Sequence, residues 1–89
     1  DSAILHRGDV IVYERGWGKD RLEIKRVEYV AGDSVLPAER STRGHLVEDG
    51  RVPVGYVYVK PDGHGFSSRN FGLVPRSWIR FRATRRTQP

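Results

Sequence analysis

The sequence predicts an all-β fold, a small curled antiparallel sheet or barrel, and three observations support this. Short runs of β-branched and aromatic residues recur along the 89-residue chain, and glycine, proline and aspartate separate them. No segment repeats its apolar residues with the 3.6-residue period of a helix. The length allows one domain with a modest core.

The first half of the chain predicts two strands and the start of a third. In residues 8–16, a Gly-Asp turn leads into β-branched and aromatic side chains, which is typical of a strand. A glycine-rich loop follows at 16–20, and a longer strand is predicted over 21–30. Residues 31–36 read as a turn that enters a short strand.

The apolar residues of the second strand change parity along it. Leu22 and Ile24 share one face, whereas Val27 and Tyr29 share the other. A β-bulge inserts one residue and produces such a shift. The sequence therefore predicts a bulge at Lys25 and Arg26. Such a bulge would change the direction in which the lysine side chain projects from the strand.

The middle of the chain is mostly loop. Residues 37–50 are polar and predict a surface insertion, with at most a short strand at Leu46–Val47. A strand is predicted over 56–60. Residues 61–75 are rich in glycine and end in proline, so they predict a loop, and their two phenylalanines favour an ordered one.

The last predicted strand, over 77–84, alternates apolar and polar side chains, as a half-buried strand does. Its predicted core face holds Ile79, Phe81 and Ala83. We therefore assign one β domain to residues 1–84.

The net charge of +5 is concentrated near the C-terminus. Up to residue 75 acids and bases balance, whereas the last fourteen residues hold five arginines and no acid. A basic tail over 85–89 could bind nucleic acid or anionic lipid. A solvated strand followed by a frayed terminus is the favoured interpretation, so a nucleic-acid partner is the less favoured alternative.

Several classes of protein do not fit the composition. The chain has no cysteine, so a disulfide framework and a thiolate zinc site are excluded. It has no apolar run long enough for a membrane span, and no secretory signal is visible. Its three histidines lack the spacing of metal ligands, so neither a metal nor another cofactor is predicted.

Three stretches occur in the order found in one known family. They are LHRGDVIVYE (5–14), KRVEYVAGDSV (25–35), and VPVGYVYV followed by FSSRNFGLVPRSWI (52–79). Together they resemble the conserved boxes of the type I signal peptidases, serine endopeptidases with a Ser/Lys dyad. The family includes mitochondrial inner-membrane and conjugative-plasmid peptidases.

The resemblance implies that Lys25 is the general base and that Arg26 supports the site. A lysine that accepts a proton at neutral pH needs apolar surroundings that disfavour its ammonium form. Lys25, beside Ile24 and Val27, fits that requirement. We therefore expect its side chain to be substantially buried.

The nucleophile box does not match. By the family's spacing, the serine falls one residue before the first residue of this chain, so we expect it to lie upstream. Ser2 is the nearest serine, but it would need a two-residue deletion to fit. We expect these 89 residues alone to be inactive.

The last box also departs from the family pattern. Ser67, Ser68 and Arg69 stand where the family has Asp-Ser-Arg, so the aspartate that pairs with the arginine is missing. Gly65 stands where the family has a serine that hydrogen-bonds the lysine. We expect Arg69 and Phe71 to lie close to the Lys25 strand, with a carboxylate or backbone carbonyl bound to Arg69 instead.

The resemblance implies an endopeptidase that processes exported or membrane-anchored precursors on the outer side of a membrane, whether periplasmic, extracytoplasmic or mitochondrial intermembrane. Its substrate would be an extended peptide paired with an exposed strand. Trp17 and Trp78 could meet lipid, although core packing is the equal or favoured role for either. A catalytically degenerate homologue that serves as a structural or partner-binding subunit remains the other reading.

Overall fold

A computed structural model describes residues 4–15, 22–40 and 49–83. The chain forms one antiparallel sheet in the order β4-β3-β2-β1-β5. The strands are β1 (Val10–Glu14), β2 (Leu22–Tyr29), β3 (Tyr56–Lys60), β4 (Val74–Pro75) and β5 (Ile79–Ala83). The all-β prediction is confirmed.

The remaining regular structure consists of single turns. The segment predicted as an ordered loop contains α1 (Ser68–Phe71) as well as β4, and short 3₁₀ turns occur at Pro37–Glu39 and Arg76–Trp78. The short strand predicted within 31–36 is reduced to an isolated bridge between Ser34 and Arg51. Within the described ranges, no helix has the length and apolar character needed to cross a membrane.

Two Gly-Asp turns of identical design precede strands or bridges. Gly8 and Gly32 adopt φ values of 91° and 90°, which favour glycine. In each turn the following aspartate, Asp9 or Asp33, accepts a hydrogen bond from the backbone N–H three residues earlier, at 2.9 and 2.8 Å. The first turn is joined to β2, because the backbone of Gly8 donates to Val27 at 2.8 Å.

The sheet carries a different hydrophobic cluster on each side. The main cluster lies on what we call the core face, with Leu5, Ile11, Tyr13, Val27, Val57, Val59 and Val74. A second cluster contains Tyr29, Val35, Val52, Tyr58 and Leu73. We call the side of β1, β2 and β5 opposite the core face the outer face.

The bulge predicted at Lys25 and Arg26 is wrong in position. The pairing of β1 with β2 is regular throughout, with Ile11 opposite Lys25. The irregularity lies between Val27 and Tyr29, where β2 pairs with β3. Tyr29 therefore lies in the second cluster and Val27 in the main cluster. The expectation that both side chains share a face is wrong.

The predicted core face of β5 is also wrong. Val12 pairs with Phe81 and the next residue of β1 pairs with Ile79, so Arg80 is the extra residue of a bulge. Ile79 packs against the main cluster, whereas Phe81 lies on the outer face and is 67% exposed. Strict alternation in the sequence had placed both on one face.

Some predictions concern residues outside the described ranges. These are the serine at 2, the tryptophan at 17, the strand at Leu46–Val47 and the tail at 85–89. Trp78 is described, and its ring packs on Tyr13 with centroids 6.4 Å apart. It is partly buried against the main cluster, which supports its role in the core.

Candidate active site

Lys25 lies on the core face of β2, where the strand leaves the hydrophobic interior. Its cross-strand partner is Ile11, which is fully buried. Paired residues in adjacent strands project to the same side of a sheet. The lysine is only half-buried, less than the sequence analysis expected, so its stem meets the core while its ammonium reaches the rim.

The loop before α1 folds back onto this lysine. Lys25 Nζ donates a hydrogen bond to the carbonyl oxygen of Phe66 at 2.9 Å. The same nitrogen lies 6.0 Å from the centroid of the Phe71 ring. The expected proximity of Phe71 to the Lys25 strand is therefore confirmed, although 46 residues separate the two along the chain.

Gly65 borders the ammonium directly. Its φ of 143° is one that residues with side chains rarely adopt. A Cβ added at Gly65 would lie 4.0 Å from Lys25 Nζ and 3.5 Å from Pro61. A serine hydroxyl extends one bond beyond Cβ, so the position predicted to hold the family's lysine-binding serine is indeed beside the lysine.

Arg26 joins three segments of the candidate site. Its guanidinium forms a two-pronged ion pair with Asp62, at 2.7 and 2.9 Å, and also donates to the carbonyl of Gly8 at 2.8 Å. The hydrogen bond from Arg26 lowers the pKa of the Asp62 carboxyl. Arg26 lies on the outer face and binds the loop through Asp62, whereas Lys25 lies on the core face and binds the same loop through Phe66.

Ser67 and Ser68 have structural partners. Ser67 caps α1: its hydroxyl accepts from the backbone of Arg69 at 3.1 Å, and the Asn70 side chain reciprocates. Ser68 is fully buried and accepts a hydrogen bond from the backbone N–H of Val59 at 2.9 Å. Both serines fix the loop that carries the Phe66 carbonyl.

Arg69 finds the kind of partner that the sequence analysis expected. Its guanidinium donates to the carbonyl oxygen of Ala38 at 2.8 Å. The adjacent Glu39 is held by two tyrosines: Tyr29 donates to its carboxylate at 2.5 Å and Tyr58 to its carbonyl at 2.6 Å. The Pro37–Glu39 turn thus supplies a backbone carbonyl partner for Arg69.

One edge of β2 near the lysine is open. Pairing with β3 begins at Arg26, so residues 22–25 are paired with β1 on one side only. No other strand in the described part of the chain pairs with this stretch. An extended peptide could add here as a strand, with its backbone directed towards Lys25.

A polar cluster beside the lysine was missed in the sequence analysis. Glu23, two residues before Lys25 and on the same face, accepts from the hydroxyl of Tyr13 at 2.8 Å and pairs with Arg15 at 3.5 Å. Burial and this hydrogen bond raise the pKa of Tyr13. Arg15 in turn lies 4.8 Å from the Phe71 ring centroid. Positions 23 and 25 are two residues apart in a predicted strand, so the sequence already indicated that the two side chains share a face.

The amino-acid sequence is similar to that of a known protease subunit. No family model matches the sequence. The chain is similar to the mitochondrial ATP-independent inner membrane protease subunit 1b of Arabidopsis thaliana, with 33% identity over 85 residues. The alignment covers 93% of this chain and 50% of that protein, so the chain spans about half the length of its relative. This similarity supports the signal-peptidase resemblance that the three sequence boxes carry.

Proposed function

We propose that this chain is the base-carrying part of a signal-peptidase-type serine endopeptidase, with its nucleophilic serine upstream of residue 1. The observation that carries the proposal is the position of Lys25 Nζ. The amine lies at the edge of the main hydrophobic cluster, next to the stretch of β2 that β3 does not pair with. There it donates a hydrogen bond to the carbonyl oxygen of Phe66.

In this mechanism Lys25 moves the protons. The serine oxygen attacks the scissile carbonyl carbon while its proton passes to the neutral lysine amine. Backbone N–H groups stabilise the oxyanion of the tetrahedral intermediate. When the C–N bond breaks, the ammonium returns that proton to the leaving amine, and an acyl-enzyme remains. Lys25 then takes a proton from water, whose oxygen attacks the ester carbonyl carbon. When the ester C–O bond breaks, the ammonium returns this proton to the serine oxygen, and both groups are regenerated.

The proposed substrate is a precursor protein that presents an extended segment with small residues at the cleavage site. Residues 22–25 offer unpaired backbone groups on the side away from β1, within the described ranges. Strand addition would fix the peptide's direction and register before chemistry. The relative is an inner membrane protease subunit, which supports an activity at a membrane surface. The resemblance to the signal peptidases implies the outer side of that membrane.

Peptide cleavage by a longer natural form, carrying the upstream residues, tests the lysine's role. We expect Lys25→Ala to lower kcat/KM by about 10²–10⁴-fold, the usual contribution of a general base. Lys60→Ala is the matched control, because Lys60 lies on the neighbouring strand and its ammonium is occupied by Glu28 at 2.8 Å. Undiminished turnover by Lys25→Ala would contradict the proposal.

The second candidate function is a catalytically degenerate subunit. Gly65 favours it, because no side chain at this position can donate a hydrogen bond to the lysine amine. Failure of the longer form to cleave a peptide that an active relative cleaves would favour this alternative. Turnover gained only with Gly65→Ser would identify the lost hydroxyl as the cause, since its Cβ would lie 4.0 Å from Lys25 Nζ.

A further inference from the structure

Two phenylalanines follow β3, one in the loop and one in α1, and their surroundings differ. Phe71 is partly buried against the main cluster. Phe66 is 70% exposed and belongs to neither hydrophobic cluster of the described residues. An exposed aromatic ring forgoes the apolar burial by which such a side chain stabilises a fold. The side chain of Phe66 therefore contributes little to folding.

The backbone of Phe66, in contrast, is held at both polar ends of one peptide group. Its carbonyl oxygen accepts a hydrogen bond from Lys25 Nζ at 2.9 Å. The N–H of the next residue, Ser67, donates to the side chain of Asn70 at 3.0 Å. Because the peptide group is planar and both of its polar ends are bonded, Phe66 is fixed beside the lysine. An exposed ring on a fixed backbone is preorganised to contact another molecule.

Phe66 also lies at one end of the open stretch of β2. The neighbouring strand β3 ends at Lys60. Pro61 follows, and a proline has no N–H with which to continue the ladder. The loop then turns back, and its Phe66 carbonyl reaches Lys25. A peptide that adds along residues 22–25 would therefore meet this loop beside the lysine.

The ring of Phe66 borders the site of the proposed reaction. By standard bond lengths, the Cα of Phe66 lies within about 5.5 Å of Lys25 Nζ, because its carbonyl oxygen is hydrogen-bonded there. Lys25 Nζ must reach the serine oxygen that attacks the scissile carbonyl. The ring begins two bonds from Cα, and two extended peptide residues span about 7 Å. The peptide positions nearest the ring are thus those within two residues of the scissile bond.

We propose that Phe66 is a specificity-determining residue of the peptide groove, whose ring selects substrates with an apolar side chain within two residues of the scissile bond. Aromatic side chains commonly line binding sites, because the contact removes apolar surface of both partners from water. The inference rests on the proposed function, since it assigns a preference to the same groove. A peptide with glycine at that position forgoes the contact.

Equilibrium binding of labelled peptides, followed by fluorescence anisotropy, tests this preference. These 89 residues are expected not to cleave, so the peptides can keep a natural scissile bond. One peptide contains only glycine and alanine, and four others each carry a single leucine at one of the four positions within two residues of that bond. We expect leucine to strengthen binding about tenfold at one position. This corresponds to about 1.4 kcal/mol, or about 55 Å² of buried apolar surface.

Substitution of Phe66 should remove the leucine advantage. In Phe66→Ala the ratio of the two dissociation constants should fall from about ten to about one, whereas Phe66→Leu should retain most of it. Val54→Ala is the matched control, because Val54 is 89% exposed near the opposite end of β3 and its loss should leave the ratio unchanged. A leucine advantage that persists in Phe66→Ala, or no advantage at any position, would overturn the proposal.

Urea unfolding excludes a merely structural effect. The midpoint of Phe66→Ala should equal that of the unsubstituted chain, because the ring packs in neither cluster. A lowered midpoint together with an equal loss of affinity for all five peptides would assign Phe66 to folding and overturn its role in specificity.

Cleavage by the longer natural form separates this inference from the proposed function. There, Phe66→Ala should lower kcat/KM for the best leucine peptide about tenfold more than for the glycine–alanine peptide, mainly through KM. Turnover with the same peptide preference in both forms would overturn the inference and leave the proposed protease intact. A Phe66-dependent leucine advantage in binding, without turnover by the longer form, would support the inference and assign the groove to a degenerate subunit.

Discussion

Residues 24 and 25 are neighbours in β2, yet each departs from the usual character of the face on which it lies. Lys25 places a cation on the core face, opposite the fully buried Ile11. Ile24 places an aliphatic side chain on the outer face, where it is 68% exposed. In a strand that served folding alone, the apolar side chain would lie on the core face and the charged side chain on the outer face.

The two departures lie in different surroundings. Departures from local folding rules concentrate where a chain has a function. On the core face, the departure lies at the open edge of β2, under the Phe66 carbonyl, and it matches the proposed general base. On the outer face, it continues across three strands and forms an apolar surface. One strand thus carries the proposed general base on one side and an exposed apolar side chain on the other.

The two faces should respond very differently to the same substitution. Val27→Thr places a hydroxyl at a core position that is 1% exposed, and we expect it to lower the free energy of unfolding by about 1–3 kcal/mol. Ile24→Thr keeps a β-branched side chain on an exposed position, so its effect should stay within about 0.5 kcal/mol. Urea unfolding of both variants measures the difference. Equal losses would contradict the assignment of faces.

Alkaline pH should weaken the cluster at the covered end of the sheet. Burial and the hydrogen bond to Glu39 raise the pKa of Tyr29 to about 12. Unfolded tyrosine ionises near pH 10, so the stability contributed by neutral Tyr29 is complete below pH 10 and is lost as the pH rises towards 12. Tyr29→Phe should flatten this loss in thermal unfolding between these pH values. An equally steep loss of stability in Tyr29→Phe would contradict this role of Tyr29.

A smaller effect on the pH dependence of stability is expected from the ion pair between Arg26 and Asp62. Because the pKa of Asp62 is lowered in the folded state, the stabilisation exists above the carboxyl's unfolded pKa and is lost as the pH falls through the folded value. Asp62→Asn should remove this acid-range dependence with little change in stability at pH 7, since the pair is exposed. An unchanged acid profile in Asp62→Asn would show that the pair does not hold the loop.

The sequence predicted the strands well because apolar runs and Gly-Asp turns are local signals. Gly8 and Gly32 adopt the conformations that their turns require. The resemblance further predicted that Phe71 lies near Lys25, which local patterns could not. The faces were harder to predict. The bulges in β2 and at Arg80 depend on which strand pairs alongside, and that information lies in distant residues. Likewise, nothing local marks the Ala38 carbonyl as the partner of Arg69.

The most direct test of the central claim is a cleavage assay on one precursor peptide with three proteins. They are these 89 residues, their Ser2→Ala variant and the longer natural form. A Ser/Lys mechanism needs both groups, so we expect turnover by the longer form alone, and Lys25→Ala should lower its kcat/KM by about 10²–10⁴-fold. Turnover by the 89 residues that disappears in Ser2→Ala would contradict the account, because the nucleophile would then lie within this chain.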